Sequence, residues 1–250
     1  MLPRVMLPLL VAATGAVAVP IAPTAQGPAA AAARTSAGSP GVIDRQEGDS
    51  VLCTFDRLDS IGGHPTTVLG NPQVIETSLG RAIEFDGVDD AVFLDVHPLA
   101  GAAAFTWEAV FRPDPGGRRE QRWFHLQETG SDNRLLFETR LVGDRWYLDS
   151  FIFSTGGTAT LMNKSSLHPL GAWYHVAAVY DGTVFSNYVN GVRDGAADVR
   201  LLPQGPGRTS IGVRINLVDY FKGAIHSSRF TRRALQPAEF LGIPGTPPSK

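Results

Sequence analysis

The fold class this sequence predicts is all-β: a single domain of two antiparallel sheets packed as a jelly-roll sandwich. Three observations predict it. First, residues 173–191 read WYHVAAVYDGTVFSNYVNG, two alternating apolar runs around Asp181-Gly182 and then Asn190-Gly191. Such dipeptides tolerate the positive φ that two-residue hairpin turns require, so three successive antiparallel strands are expected here. Second, short strand-like runs recur along the chain between Gly, Pro, Asn and Asp turns. Third, no segment sustains a 3.6-residue apolar period.

In chain order, the N-terminus carries Arg4, then the apolar run 5–19, with Ala16-Val17-Ala18 as a small-x-small cleavage site, so residues 1–18 are read as a signal peptide and the chain as secreted. The run is shorter than the roughly 20 residues a membrane span needs. The competing reading is an uncleaved anchor. Residues 19–48 are Ala, Pro, Gly, Ser and Thr with almost no aromatic content, a linker composition that cannot bury a core. Strands are then expected near 50–56, where Val51, Cys53 and Phe55 alternate, and at 67–69, 73–75, 82–85 and 90–95. They continue at 105–112, 121–127, 134–140, 145–153 and 158–162, through the three around Asp181-Gly182 and Asn190-Gly191 (173–180, 184–190, 192–194), and at 209–214 and 221–230. By period 2, Phe105, Trp107, Ala109 and Phe111 share one face, as do Phe124 and Leu126 on the next long strand. One helical turn at 236–241 follows from Pro237 at a first helical position, and 244–250 is tail.

With 250 residues, 43% of them hydrophobic, the chain buries a sizeable core without staples. A formal net charge of -2 argues against a nucleic-acid partner. Cys53 is the only cysteine, so no disulfide framework or cysteine metal cluster exists, and it reads as a small core hydrophobe.

Five blocks occur in an order that resembles the laminin G-like jelly-roll domains of the concanavalin A-like lectin/glucanase superfamily. They are Val51-Leu52-Cys53-Thr54-Phe55-Asp56, the run GRAIEFDGVDD at 80–90, FTWEAVFRP at 105–113, the hairpin block W-x-H-V-A-x-V-Y-D-G with Y-V-N-G, and FKGAIHSSRF at 221–230 with Arg233-Ala234-Leu235 and Glu239-Phe240. The likeness spans about 49–243. It implies a concave sheet on which a sugar binds, and a glycan or an extracellular surface as the partner. A purely protein-interaction module is the alternative within the same family.

Candidate ligand residues were sought on that face. Trp123, His125 and Gln127 alternate with Phe124 and Leu126; Arg134, Glu138 and Arg140 alternate with Leu135, Phe137 and Thr139; Tyr147 and Asp149 alternate with Trp146 and Leu148. Were these strands adjacent, aromatic plates and paired polar groups would share one surface, as sugar C–H faces and hydroxyl pairs require. The competing reading is an ordinary solvated face with cross-strand ion pairs.

An enzyme needs more. Retaining glycosidases use two carboxylates about 5–5.5 Å apart, and Glu108, Glu138 and Asp149 each stand singly in the sequence. Polysaccharide lyases of related fold carry an Arg/Glu/Arg strand, a Gln-x-His strand and a Tyr-x-Lys strand. Arg134 with Glu138 and Arg140, His125-Leu126-Gln127 in reversed order, and Tyr220-Phe221-Lys222 echo them by analogy. Calcium is the one cofactor the residues suggest. Asp86, Asp89 and Asp90 form an oxygen-rich cluster suited to calcium or to a hairpin turn. In related folds a closing-strand Asp ligates calcium; here that place is His226, a poor ligand for an oxygen-preferring ion. His175 is expected to be structural.

Overall fold

The computed structural model describes residues 46–245; the expected signal peptide, most of the expected linker and the last five residues lie outside that range. The strands in chain order are β1 (Gln46–Glu47), β2 (Ser50–Thr54), β3 (Ser60–Ile61), β4 (His64–Pro65), β5 (Thr67–Leu69), β6 (Gln73–Thr77), β7 (Gly80–Asp86), β8 (Ala91–Leu94), β9 (Phe105–Pro113) and β10 (Glu120–Glu128). They continue with β11 (Arg134–Val142), β12 (Arg145–Ser154), β13 (Gly157–Met162), β14 (His168–Pro169), β15 (Tyr174–Tyr180), β16 (Val184–Val189), β17 (Val192–Asp198), β18 (Gly207–Ile211) and β19 (Lys222–Thr231). A single 3-10 turn, Pro237–Glu239, follows where Pro237 predicts it. Every strand expected from the sequence is present within a few residues. Strand β1 begins inside the stretch read as linker, because Gln46 and Glu47 pair with Val51 and Ser50.

Two large antiparallel sheets make the sandwich. The first runs β1-β2-β19-β9-β15-β16-β17, with β7 also on β19 and β6 on β7; the second runs β13-β12-β11-β10-β18-β8-β5, with β14 on β12. The meander expected from 173–194 is β15-β16-β17. Its two turns differ. Asn190 and Gly191 both take positive φ, 49° and 78°, as a two-residue hairpin demands. The Asp181-Gly182 turn is longer than expected: the loop is Asp181 to Thr183, and the Asp181 carboxylate accepts from the backbone N–H of Thr183 and Val184, both at 2.8 Å. Those amides stabilise the ionised form and hold its pKa below the ordinary carboxylate value.

The core lies between the sheets. Phe105, Trp107, Ala109 and Phe111 all point into it, as period 2 requires, and meet Phe124, Leu126, Leu135, Phe137, Trp146 and Leu148 from the second sheet. Trp107 sits at the centre, 4.1 Å from the Phe137 ring centroid and edge-on to Phe124 at 5.1 Å. Its indole N–H donates to Ser228 Oγ (3.2 Å), so the polar atom is satisfied. Cys53 is a buried core residue.

The outer face of the first sheet is also covered. Every residue of β15 is buried, because the segment after β19 folds back across it. Leu235 donates its N–H to Thr106 Oγ1, Leu241 donates its N–H to Glu108 Oε1, and Phe240 packs on His175 and Tyr188. His175 is held under this strap by Glu108 (3.0 Å), the structural role expected for it. At Gly223 a Cβ would collide with the Arg112 carbonyl oxygen, so only glycine lets β19 approach β9 there.

Candidate functional site

The second sheet has an open outer face, built by β10 to β13. Strands β11 and β12 are in direct register: Arg134 faces Phe153, Leu136 faces Phe151, Glu138 faces Asp149 and Arg140 faces Tyr147. Beyond them, Phe151 faces Thr160 and Asp149 faces Met162 of β13. These strands are therefore neighbours, and Arg134, Glu138, Arg140 and Asp149 gather as the alternation predicts. A cleft of about 240 Å³ opens over them, lined also by Arg122, Leu136, Phe151, Thr160, Met162 and Arg214.

Strand β10 corrects the sequence reading. A β-bulge interrupts its pairing with β11 between Arg122 and Phe124. Two consecutive aromatics, Trp123 and Phe124, both turn into the core, and the side-chain parity reverses. Trp123 is fully buried, stacked on Phe111 at 4.2 Å and 9° and on Phe137 at 5.4 Å and 14°. It is not a sugar platform. Arg122, unmarked by period 2, takes the outward place opposite Glu138.

His125 does lie on the outer side, opposite Leu136 and Ser210. It is nonetheless only 1% exposed, capped by the loop after β18, and its Nδ1 accepts the Ile215 backbone N–H at 3.1 Å. Burial first, then the charges of Arg214 and Arg134, push its pKa down to about 3. The imidazole is neutral at ordinary pH and is neither a cationic ligand nor a general acid. Gln127 and Tyr147 lie on the same face but outside the cleft lining; the Gln127 amide donates to the Ser131 carbonyl (2.9 Å) and braces the β10–β11 turn.

The cleft floor is an ion-pair network. Arg140 donates to Glu138 (2.8 Å) and to Asp149 (2.7 Å), and also pairs with Glu120. Arg122 pairs with Glu138 (3.3 Å), Glu120 (3.7 Å) and Asp219. Burial raises the pKa of both Glu138 and Asp149; the neighbouring Asp149 charge adds to this at Glu138, while the two arginines oppose it. Asp149 Oδ1 has no hydrogen-bond partner among the described residues. Arg134 lies over the rings of Phe151 (4.8 Å) and Phe153 (5.6 Å). Leu217 and Asp219, in the loop bordering the cleft, hold positive φ of 61° and 60°, strained for non-glycine residues.

These pKa shifts give a signed pH prediction. The unfolded chain protonates His125 near 6.5 and the folded protein only near 3, so this group withdraws stability as pH falls from about 6.5 toward 3. Burial shifts His97, His168 and His226 in the same direction. Glu138 and Asp149 work oppositely: their contribution is present below their ordinary values of 4.5 and 3.8 and is lost as pH rises through their raised values. The expected result is a urea midpoint that drops from pH 7 to pH 5, with His125 ring resonances unshifted between pH 8 and pH 5. A His125 titration centred near 6.5 would overturn this.

The lyase-like constellation is not assembled. Phe221 is a buried core residue, and Lys222 sits on the first sheet, paired with Asp86. Neither Tyr220 nor Lys222 lines the cleft. Glu138 and Asp149, by contrast, single in the sequence, become cross-strand neighbours.

Asp86, Asp89 and Asp90 bring carboxylate oxygens within 4.8 Å of one another beside a hollow of about 430 Å³. The oxygens of Asp86 and Asp90 already serve the backbone. Asp90 accepts from the N–H of Asn71 (2.6 Å) and Asp86 (3.0 Å), and Asp86 from Val88 (2.7 Å), which is the hairpin-turn use of such a cluster. His226 bonds through Nε2 to the Leu79 carbonyl (2.9 Å), tying β19 to the β6–β7 turn.

Comparison with known proteins agrees with this architecture. By sequence, the chain has no significant match among curated proteins. Among solved structures it is similar to domain 4 of AbnA, a GH43 extracellular arabinanase from Geobacillus stearothermophilus, in complex with arabinotriose (19% identity, TM-score 0.51, 75% of this chain and 94% of that one). It is also similar to the binding domain of botulinum neurotoxin DC in complex with SialylT (10%, TM-score 0.57, 76% and 49%). A third is a heptameric SAP-like pentraxin from Limulus polyphemus (18%, TM-score 0.50, 62% and 77%). At such identities these likenesses speak for the fold alone. No helix among the described residues is long and apolar enough to cross a membrane. Residues 86–240 match the Laminin_G_3 family, and the chain therefore belongs to the concanavalin A-like lectin/glucanase superfamily.

Proposed function

We propose that the protein is a secreted, non-catalytic carbohydrate-binding module whose ligand lies in the cleft over β11, β12 and β13. The carrying observation is the cleft itself: about 240 Å³ on an open sheet face, lined by Leu136 and Phe151 together with hydrogen-bonding Arg, Glu and Asp side chains. A few placed polar groups around an apolar patch suit a saccharide, whose C–H faces and hydroxyls need both. The glycan-bound forms among the structural neighbours, with arabinotriose and with SialylT, support the reading.

The test is affinity electrophoresis and calorimetry against a polysaccharide panel. Thr160→Trp fills the cleft from an exposed position and should abolish binding, while Val192→Trp, exposed on the other sheet, should leave it unchanged. Absence of glycan binding, or binding indifferent to Thr160→Trp, would sink the proposal. The export reading is tested by finding the processed chain in culture medium.

One observation favours a second reading. Glu138 and Asp149 face each other across two strands and share one Arg140 nitrogen, with burial raising both pKa values. Two adjacent carboxyls, one of them able to act as a proton donor, are glycoside-hydrolase chemistry. Release of reducing ends from the same panel, lost in Glu138→Gln, would establish that reading over binding alone.

A further inference from the structure

The charges lining the cleft do not cancel, and the surplus is positional. Four arginines reach it, Arg122, Arg134, Arg140 and Arg214, against two lining carboxylates, Glu138 and Asp149. The carboxylates that form ion pairs at the cleft all pair with the same two arginines. Glu138 bonds Arg122 and Arg140, Asp149 bonds Arg140, Asp219 bonds Arg122, and Glu120 reaches both. Among the described residues no carboxylate comes within ion-pair distance of Arg134 or Arg214.

Arg134 is held in place without being neutralised. Its Nη1 donates to the Asp132 carbonyl (2.7 Å) and its guanidinium carbon lies over the rings of Phe151 and Phe153, which holds the side chain without an ion pair. Arg214 comes from the loop after β18 and makes no side-chain hydrogen bond among the described residues. Its pKa is lowered by burial, then by the charges of Arg134 and Arg122. The charges of Glu138 and Asp132 offset part of this at Arg214. Two half-buried guanidiniums lining one cleft, neither of them in an ion pair, still repel, and a bound anion would relieve that repulsion. Arginine forks match planar oxyanions in bidentate fashion.

We propose that the cleft selects an acidic saccharide, one whose carboxylate or sulfate group is held between Arg134 and Arg214, with the sugar ring against Leu136 and Phe151. The proposal rests on the carbohydrate-binding reading above and adds the ligand's chemical class. The net charge of -2 for the whole chain makes the cationic cleft a local feature rather than a consequence of bulk charge.

The experiment uses the intact protein and three probe classes: a polyuronate, a sulfated polysaccharide, and neutral arabinan and glucan. Arg134→Gln and Arg214→Gln are each measured, with Arg81→Gln, an exposed arginine on β7, as the charge control; thermal unfolding confirms that all are folded. The expected result is a preference of at least tenfold for one or both acidic probes, about tenfold weaker binding in each cleft variant, and no change in Arg81→Gln. Arg214→Lys should recover only part of the loss, because a point charge replaces the fork. The uronate and sulfate arms decide which oxyanion is preferred. Equal or better binding of neutral glycans, unaffected by the cleft variants, overturns the acidic preference and leaves the carbohydrate-binding reading standing. Equal weakening by Arg81→Gln overturns it in favour of non-specific charge attraction. No binding of any probe removes both readings.

Discussion

Trp123→Ala will destabilise the protein by about 3–5 kcal/mol, with a Tm lower by on the order of 10 °C. The ring is fully buried between Phe111 and Phe137 and also contacts Phe221 at 5.8 Å, so truncation opens a large cavity that flanking rings cannot close. Calorimetry or urea unfolding reads the effect directly. At temperatures where the variant remains folded, glycan affinity should stay within a few-fold of the parent, because no part of the ring reaches the cleft. A stable Trp123→Ala protein that has lost binding would refute this placement and restore Trp123 as a ligand platform. Trp123→Phe, which keeps most of the packing, should recover a large share of the loss.

Glu108→Ala is expected to cost about 3–5 kcal/mol, the range for removing one member of a buried charge network. Glu108 is fully buried on the outer side of the first sheet. Its Oε1 accepts from His175 Nε2 (3.0 Å) and the Leu241 N–H (2.7 Å), and its Oε2 from Arg229 Nε (2.6 Å). Three donors on two strands and the C-terminal strap converge on this one carboxylate, and removing it leaves His175 buried without its acceptor. The consequence is local as well as global: amide exchange at Leu241 and its neighbours should accelerate more than exchange in β10 to β13. Equal stability of Glu108→Ala would show that the strap is held by Phe240 packing and the Leu235–Thr106 and Arg229–Glu239 bonds without this carboxylate.

The two substitutions fall on opposite sheets, and they separate scaffold from site. The hairpin block 173–191, the most readable part of the chain, supplies β15 and β16, several of the strap contacts and part of the core, and none of the cleft. The cleft residues come from β10 to β13 and from the loop after β18, where turns and alternation carry less family character. Arg134, Glu138, Arg140 and Asp149 were legible because unbroken alternation over β11 and β12 survives in direct register. Arg122 was hidden by a bulge, although adjacent Trp123 and Phe124, two large aromatics that cannot both be solvated cheaply, are its one local sign. Phe151 follows Asp149 on the same face of β12, and Thr160 and Met162 enter because β13 pairs with β12 in one particular register. Arg214 comes from far along the chain and carries no local mark at all.

By itself the sequence determined which segments are the long strands, where most of the main-chain turns fall, and most of the residues that fill the core. Those properties follow from short-range rules: side-chain alternation, turn-residue backbone preferences and the removal of apolar surface from water. Only the tertiary structure decided what faces the ligand. A single extra residue in β10 reverses parity and exchanges Trp123 for Arg122. Cross-strand register brings Glu138 and Asp149 together from either side of a hairpin. A loop after β18 buries His125 and delivers Arg214, which forms no ion pair among the described residues. Each of these depends on which strands become neighbours and at what offset, a choice made by the packing of the whole sandwich rather than by any one segment.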